Sequence, residues 1–391
     1  MKMINRTMIP AVLAAAGVIF SFTLTGCAPI QRTTDAYMKD LYRRIPYTVA
    51  ENYRVLDVYY ATTRSRGEAE KTDVLFTSRF SEETSLGKMN IKVDPAVKIG
   101  KMLPRKLKGR GILGVKNVNM LDREDFMKDL ADAVESSPKK SLLVMVFGYM
   151  DDFEESAIKA AWFAYMLDVN TPVLLFDWPG DQAVSIGGYK KANHYAEASG
   201  PALGELLVRI EREIKPDKLW LKGSSLGCET ICHAFEYMYQ FEDMRDDEAE
   251  ITEVILAAPD VSEEAFKDRF GRHISVFTDR LTIYVSADDD ALLMSGMITG
   301  QKKLGRQRVT DPPQFEAAKD LLLLKSQNPG RITVIDVTPI NTSSFHHGYY
   351  LESPEFFDDL YARIHGKSSH GNRRLYLIKY KDEVDYWVMQ K

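Results

Sequence analysis

Residues 217–232 read DKLWLKGSSLGCETIC. Two serines stand between glycines, directly after a short apolar run. Glycine weakens a strand interior and is a poor residue on which to open a helix, so the backbone here needs a turn too tight for ordinary residues. Gly223, Ser224, Ser225, Leu226 and Gly227 spell G-x-S-x-G. Before the motif lies a strand-like run, and after it CETICHAFEYMYQFEDM has helical spacing. In a strand-to-helix elbow of this kind the middle serine sits in a strained turn with its hydroxyl lifted above the sheet. Ser225 is therefore the candidate nucleophile, and Ser224 the spacer.

The same rhythm extends outward from the motif. EDFMKDLADAVESS, DDFEESAIKAAWFAYMLD and ASGPALGELLVRIEREI read as helices. SLLVMVFGYM, TPVLLFDWPG, ITEVILAAPD, DRLTIYVSADDD and GRITVIDVTPI read as apolar strands ending in turn or acidic residues. Strands apolar throughout and alternating with helices predict an α/β fold, a mostly parallel sheet with helices on both faces. Sites in such sheets lie at the carboxyl ends of the strands. Here those ends carry FGYM, FDWPG, GSSLG, APD and SADDD, with FHHG a few residues beyond the last strand. Upstream, YRVLDVYYATTR and KMNIKV form an N-terminal β extension.

A serine hydroxyl needs a base within hydrogen-bond reach and a third group to orient that base. His346 and His347 lie in INTSSFHHGYY, a loop after a late strand, and one of them is expected to be the base while the other packs or meets a backbone carbonyl. For the acid, Asp260 ends one strand and Asp288, Asp289 and Asp290 end the next. Three adjacent buried carboxylates would repel, so at most one should face the histidine. Asp260 is equally placed to cap a helix before SEEAF. The oxyanion that follows attack needs preorganised donors. The N–H of Leu226 and that of Tyr149, in FGYM, are the candidates.

The chain has 391 residues, 45% of them apolar, which is enough for a sizeable core, and a net charge of −5, which argues against nucleic acid as a partner. Cys228 and Cys232, four apart on a helix, read as buried small hydrophobes. No Cys/His cluster has zinc spacing, and no metal or organic cofactor is required. Lys2 and Arg6 precede an apolar run from Met8 to Phe22, as in an export signal. LTGC at Leu24 to Cys27 resembles the lipobox of bacterial lipoproteins. That resemblance implies removal of residues 1–26, acyl chains such as palmitate on Cys27, and a Gram-negative envelope setting. Ala28 at the next position favours the outer membrane, facing the periplasm. Residues 27–50 then read as a tether, 51–365 as the main domain, and 366–391 as an accessory C-terminal segment in which LYLIKY and VDYWVM form a hairpin. The basic stretch KIGKMLPRKLKGR, residues 98–110, reads as a solvated loop or an anionic-lipid contact.

The ordered set VYYATTR, LGKMNIKV, FGYMDDFEES, FDWPG with GGY, GSSLG, LAAPDV, YVSADDDALLMS and HHGYY resembles a bacterial α/β-hydrolase family of unknown function within the esterase/lipase superfamily. Matched to that family, Ser225 takes the nucleophile position, His347 the base position and Asp289 the acid position. Phe147 and Met150 stand where the family usually has the histidine and asparagine of His-Gly-Tyr-Asn, and Ser224 where it often has histidine. The resemblance implies a lipid-anchored hydrolase of ester or related acyl bonds. The rival reading is an inactive hydrolase scaffold that binds a partner at the envelope; an acyltransferase would use the same residues.

Overall fold

The computed structural model describes residues 47–50, 53–67, 75–94, 97, 112–245, 249–307, 332–365, 374–380 and 384–391. The export signal, Cys27, most of the tether, the basic stretch 98–110 and the linker that opens the C-terminal segment lie outside them.

Twelve strands among the described residues form one sheet. Its centre consists of β5 (Ser141–Val146), β6 (Val173–Asp177), β7 (Lys218–Ser224), β8 (Glu253–Ala257), β9 (Leu281–Val285) and β10 (Ile332–Asp336), all parallel, in the order β10-β9-β8-β7-β5-β6. Every residue of β5, β6, β8 and β9 is buried, as their largely apolar sequence requires of strands covered on both faces. Val146 of β5 is in register with both Phe176 and Gly223, and Ser224 with Ala257. The carboxyl ends of four strands thus reach one line, and the loops leaving them share one edge.

At the β6 side the sheet continues through β2 (Tyr53–Arg66), which runs parallel to β6, and then antiparallel β3 (Phe76–Val93) and β4 (Leu113–Leu121). A short β1 (Thr48–Ala50) pairs with β2. β3 is three times the length of the KMNIKV run, and β4 follows a weak pattern, LGVKNVNML, that does not stand out in the sequence. At the other side β11 (Leu375–Tyr380) and β12 (Val384–Met389) form the expected hairpin, and β12 adds to β10 in parallel.

The helices that matter to the site are α1 (Arg123–Ser136), α2 (Phe153–Met166), α3 (Ile186–Arg209), α4 (Gly227–Met238), α5 (Gly271–Phe277), α6 (Asp290–Thr299) and α7 (Pro354–Ile364). Asp152 caps α2 in a reciprocal capping box with Glu155. α3 begins twelve residues before the expected ASGPAL start, capped by Ser185, and runs through Pro201. Gly200 and Gly204, inside the expected helix, serve packing. A Cβ on Gly200 would lie 2.3 Å from the Cβ of His233, so α3 and α4 meet with backbone nearly in contact.

Candidate functional site

Ser225 lies in the elbow between β7 and α4 with φ at +52°, a left-handed conformation that costs a non-glycine residue about 1–3 kcal/mol. Neighbouring strands hold it there: its N–H donates to the Ala257 carbonyl at 3.0 Å, and its own carbonyl accepts from Asp260 N–H at 3.1 Å. The turn aims the hydroxyl at the loop beyond β10. Ser225 Oγ lies 2.8 Å from His347 Nε2, and His347 Nδ1 lies 2.8 Å from Asp289 Oδ2. Three residues from separate strand ends, spread over 122 positions, form one hydrogen-bonded line.

Asp289 is fully buried and does two things at once. Its Oδ2 meets His347, and its Oδ1 accepts the N–H of Leu292 at 2.9 Å as the N-cap of α6. The cap fixes the carboxylate, and the carboxylate orients the ring. Burial draws the His347 pKa down, yet the adjacent Asp289 carboxylate outweighs it and the net shift is upward from 6.5. Tyr350 stands edge-to-face against the His347 ring, with centroids 6.0 Å apart.

The other candidates take different places. His346 meets the half-exposed carboxylate of Asp290 at 3.0 Å, not a backbone carbonyl. Asp288 is exposed. Asp260 caps no helix; Ser262 caps the turn at Glu263–Ala265. Asp260 is buried, accepting from Tyr189 Oη at 2.9 Å, Ser295 Oγ at 2.9 Å and Lys303 Nζ at 3.0 Å. It therefore ties α3 to α6 across the base of the site.

The loop after β5 lies against the elbow. A Cβ on Gly148 would sit 2.6 Å from Ser225 Cβ and 3.1 Å from its Oγ, and one on Gly227 would sit 2.4 Å from the Phe147 carbonyl oxygen. Only glycine permits these approaches, which bring the Gly148–Tyr149 peptide and the Leu226 peptide to the borders of the serine. The loop is pinned by Trp178 Nε1 donating to the Phe147 carbonyl at 2.8 Å and Met150 N–H donating to the Gly180 carbonyl at 2.9 Å. Phe147 replaces a histidine without removing this backbone. Its ring packs on Phe163 and the Lys222 amine, and it is the next residue's backbone that meets Ser225. Met150 is turned outward with φ at +75°.

Two buried basic side chains, on β7 and β2, were not singled out in the sequence. The Lys222 amine is enclosed by the rings of Phe147, Phe163 and Tyr350 at 4.8, 4.2 and 5.0 Å, and burial lowers its pKa to about 7. Arg64, 1% exposed, donates through Nε to Asp177 at 2.7 Å, through Nη1 to Asp181 at 2.5 Å, and through Nη2 to the Asp151 carbonyl at 2.7 Å. A lone Lys at the end of an apolar run, and an Arg closing VYYATTR, were the available signals.

Residues 122–364 match the model of a family described as alpha/beta hydrolase of unknown function (DUF900). The chain belongs to that family. The match includes the elbow, the acidic strand end and the histidine loop, while β1 to β4 and the C-terminal hairpin fall outside it. No curated protein matches the chain. Among solved structures, esterase B of Lactobacillus rhamnosis, in an inhibited form, is 11% identical, covering 90% of this chain and 96% of its own, with a TM-score of 0.34. An a/b serine hydrolase without lid from Xanthomonas campestris is 12% identical, covering 72% and 91%, with a TM-score of 0.29. At scores this low neither likeness bears weight; the fold assignment stands on the family match and on the sheet itself.

Among the described residues no group of three or more His, Cys, Asp or Glu is placed to hold a metal ion, and no helix is long and apolar enough to cross a membrane. Cys228 and Cys232 are buried thiols, both shifted upward by burial and thus inert.

Proposed function

We propose that the protein is a serine hydrolase that cleaves esters or related acyl bonds through an acyl-enzyme at Ser225. The observation that carries this reading is the hydrogen-bonded line from Ser225 Oγ through His347 to Asp289. His347 Nε2 takes the hydroxyl proton as Oγ attacks the carbonyl carbon, and the carbonyl electron pair moves onto oxygen. The N–H groups of Leu226 and Tyr149 face the resulting oxyanion. Collapse expels the alcohol, which leaves with the proton held on His347. Water then repeats the sequence on the acyl-enzyme, and the free acid departs with Ser225 restored. Asp289 holds the imidazole in the required tautomer and stabilises it when charged.

A binding scaffold would be the better reading if Ser225 lay far from both histidines. The 2.8 Å contact with His347 supports the enzymatic one. The proposal places the enzyme at the cell envelope, held to the outer membrane through lipid on Cys27 and turned to the periplasm, on the strength of the basic start, the apolar run and LTGC.

Fluorophosphonate labelling tests the chemistry. Wild-type protein should take up one label, and Ser225→Ala, with an unchanged circular dichroism spectrum, should take up none. Equal labelling of the two, or no labelling of folded wild type, removes Ser225 from the account.

A further inference from the structure

Among the described residues, most of the large apolar side chains that stand in solvent gather in one region. Seven of the eleven recorded among the described residues sit in the loops and helix that surround Ser225: Met150, Val184, Ile186, Phe345, and Leu293, Met294 and Met297 of α6. Val184, Met297 and Phe345 are 78%, 77% and 71% exposed. Two of the set, Met150 and Phe345, are held outward by left-handed backbone, at φ +75° and +52°. A side chain that is both strained and solvent-exposed is costly twice over, and such positions concentrate where a surface is used.

The set is contiguous through its supports. Tyr149, next to Met150, donates its hydroxyl to the Ala183 carbonyl at 2.6 Å, beside Val184. Tyr189, three residues after Ile186, reaches Asp260, which also accepts from Ser295 between Met294 and Met297. α6 starts at the Asp289–Asp290 pair that holds His347 and His346, next to Phe345. The apolar groups therefore stand, as a ring of segments, on the loops after β5, β6 and β10 and the helix after β9, at the sheet edge that carries Ser225.

Cations stand one step behind the tips. Lys190 lies one helical turn from Ile186, exposed, with Lys191 beside it. Lys302 and Arg306, two cations against the single carboxylate of Glu263, line a groove of about 320 Å³ with Leu293 and Met297. An apolar tip backed by lysine or arginine matches the layering of an anionic bilayer, acyl chains beneath and phosphates above.

We infer that this ring docks on the surface of an anionic phospholipid layer, with the Ser225 mouth facing the lipid. Ring residues enter the headgroup region and the four cations meet phosphate.

Hydrogen–deuterium exchange of full-length Ser225→Ala protein, with and without vesicles, tests the docking independently of any chemistry. With vesicles of phosphatidylethanolamine and phosphatidylglycerol, peptides covering 183–187 and 291–298 should be protected. Peptides over β4, which exposes Met120 on the far side of the sheet order, should not. The combined change Val184→Ser, Ile186→Ser, Met294→Ser and Met297→Ser, all at exposed positions, should retain the melting temperature and require roughly ten-fold more lipid for the same protection at those peptides. Both chains carry the same N-terminus, so the difference reads the ring and not the anchor. Absence of protection at the ring, or equal protection on pure phosphatidylcholine, overturns the inference. Protection that grows with protein concentration and ignores lipid also overturns it, assigning the ring to self-association.

Discussion

In the proposed mechanism His347 carries the pH dependence of the site. Its pKa is raised because the buried Asp289 carboxylate outweighs the desolvation that would lower it. A base works only when deprotonated, so kcat/KM on a soluble ester should rise with pH along a limb centred above 6.5, the ordinary histidine value. Asp289→Asn keeps a side-chain oxygen to cap α6 but removes the charge. Burial and the Lys159 charge then pull the pKa down against the Asp260 carboxylate alone, so the limb should move to lower pH. The plateau should fall roughly 10³–10⁴-fold as the tautomer is lost. A pH–rate profile of the two proteins checks both, and an unmoved limb would detach Asp289 from the base. The choice of His347 over His346, and of Asp289 over its neighbours, could not be made from residue type. It depends on where the turn after β10 rotates each ring, with Phe345 and His346 both at positive φ, and on which carboxylate starts α6. In the sequence those neighbours are equivalent; the family resemblance, not the spacing, separated them.

Elements were legible where burial on both faces makes a strand apolar throughout, and illegible where one face meets water or a glycine has two possible uses. β5 to β10 announce themselves for the first reason. β4 alternates weakly, and α3 hides its first turns behind Gly187 and Gly188. The tie between β2 and the loop after β5 was equally hidden, since nothing in VYYATTR says where its arginine points. Arg64 uses three nitrogens in one fork, joining Asp177, Asp181 and the carbonyl of Asp151, two residues beyond the Tyr149 peptide. Lysine keeps the charge but cannot reproduce the fork. Arg64→Lys should therefore lower stability by about 2–3 kcal/mol and slow fluorophosphonate labelling roughly ten-fold, because the oxyanion loop loses its anchor. Gly204→Ala provides the control: its Cβ would crowd Tyr237 and the Ala234 carbonyl at the α3–α4 contact, away from the loop. It should lower the melting temperature and leave the labelling rate alone. If both variants slow labelling in proportion to lost stability, Arg64 is structural only.

At the scale of the whole molecule, the parallel core and the meeting of its strand ends follow from hydrophobic pattern, while the two flanks of the sheet follow from pairings between distant segments that no local pattern encodes. The C-terminal hairpin shows the difference. LYLIKY and VDYWVM read as a hairpin from alternation alone, yet their partner, β10, was not legible. β12 pairs in parallel with Ile335 and Asp336, and Leu375, Tyr386 and Met389 are buried. β10 is also the strand that leads into the histidine loop. Ending the chain at residue 365 would remove these three buried side chains, uncover the surface they pack against at a cost of about 1.5–3 kcal/mol each, and leave β10 as an open edge. The truncated protein should melt at least several degrees lower and associate on standing. Because Val337 N–H is held by the Val285 carbonyl, on the β9 side of β10, the loop should keep its course while the fold lasts. Fluorophosphonate labelling measured well below the new melting temperature should then persist. Truncated protein that melts like wild type would make the hairpin an accessory. Loss of labelling in protein that is still folded would show that the outer strands hold His347 in place, and would move the structural boundary of the proposed catalytic unit beyond the end of the family match at residue 364.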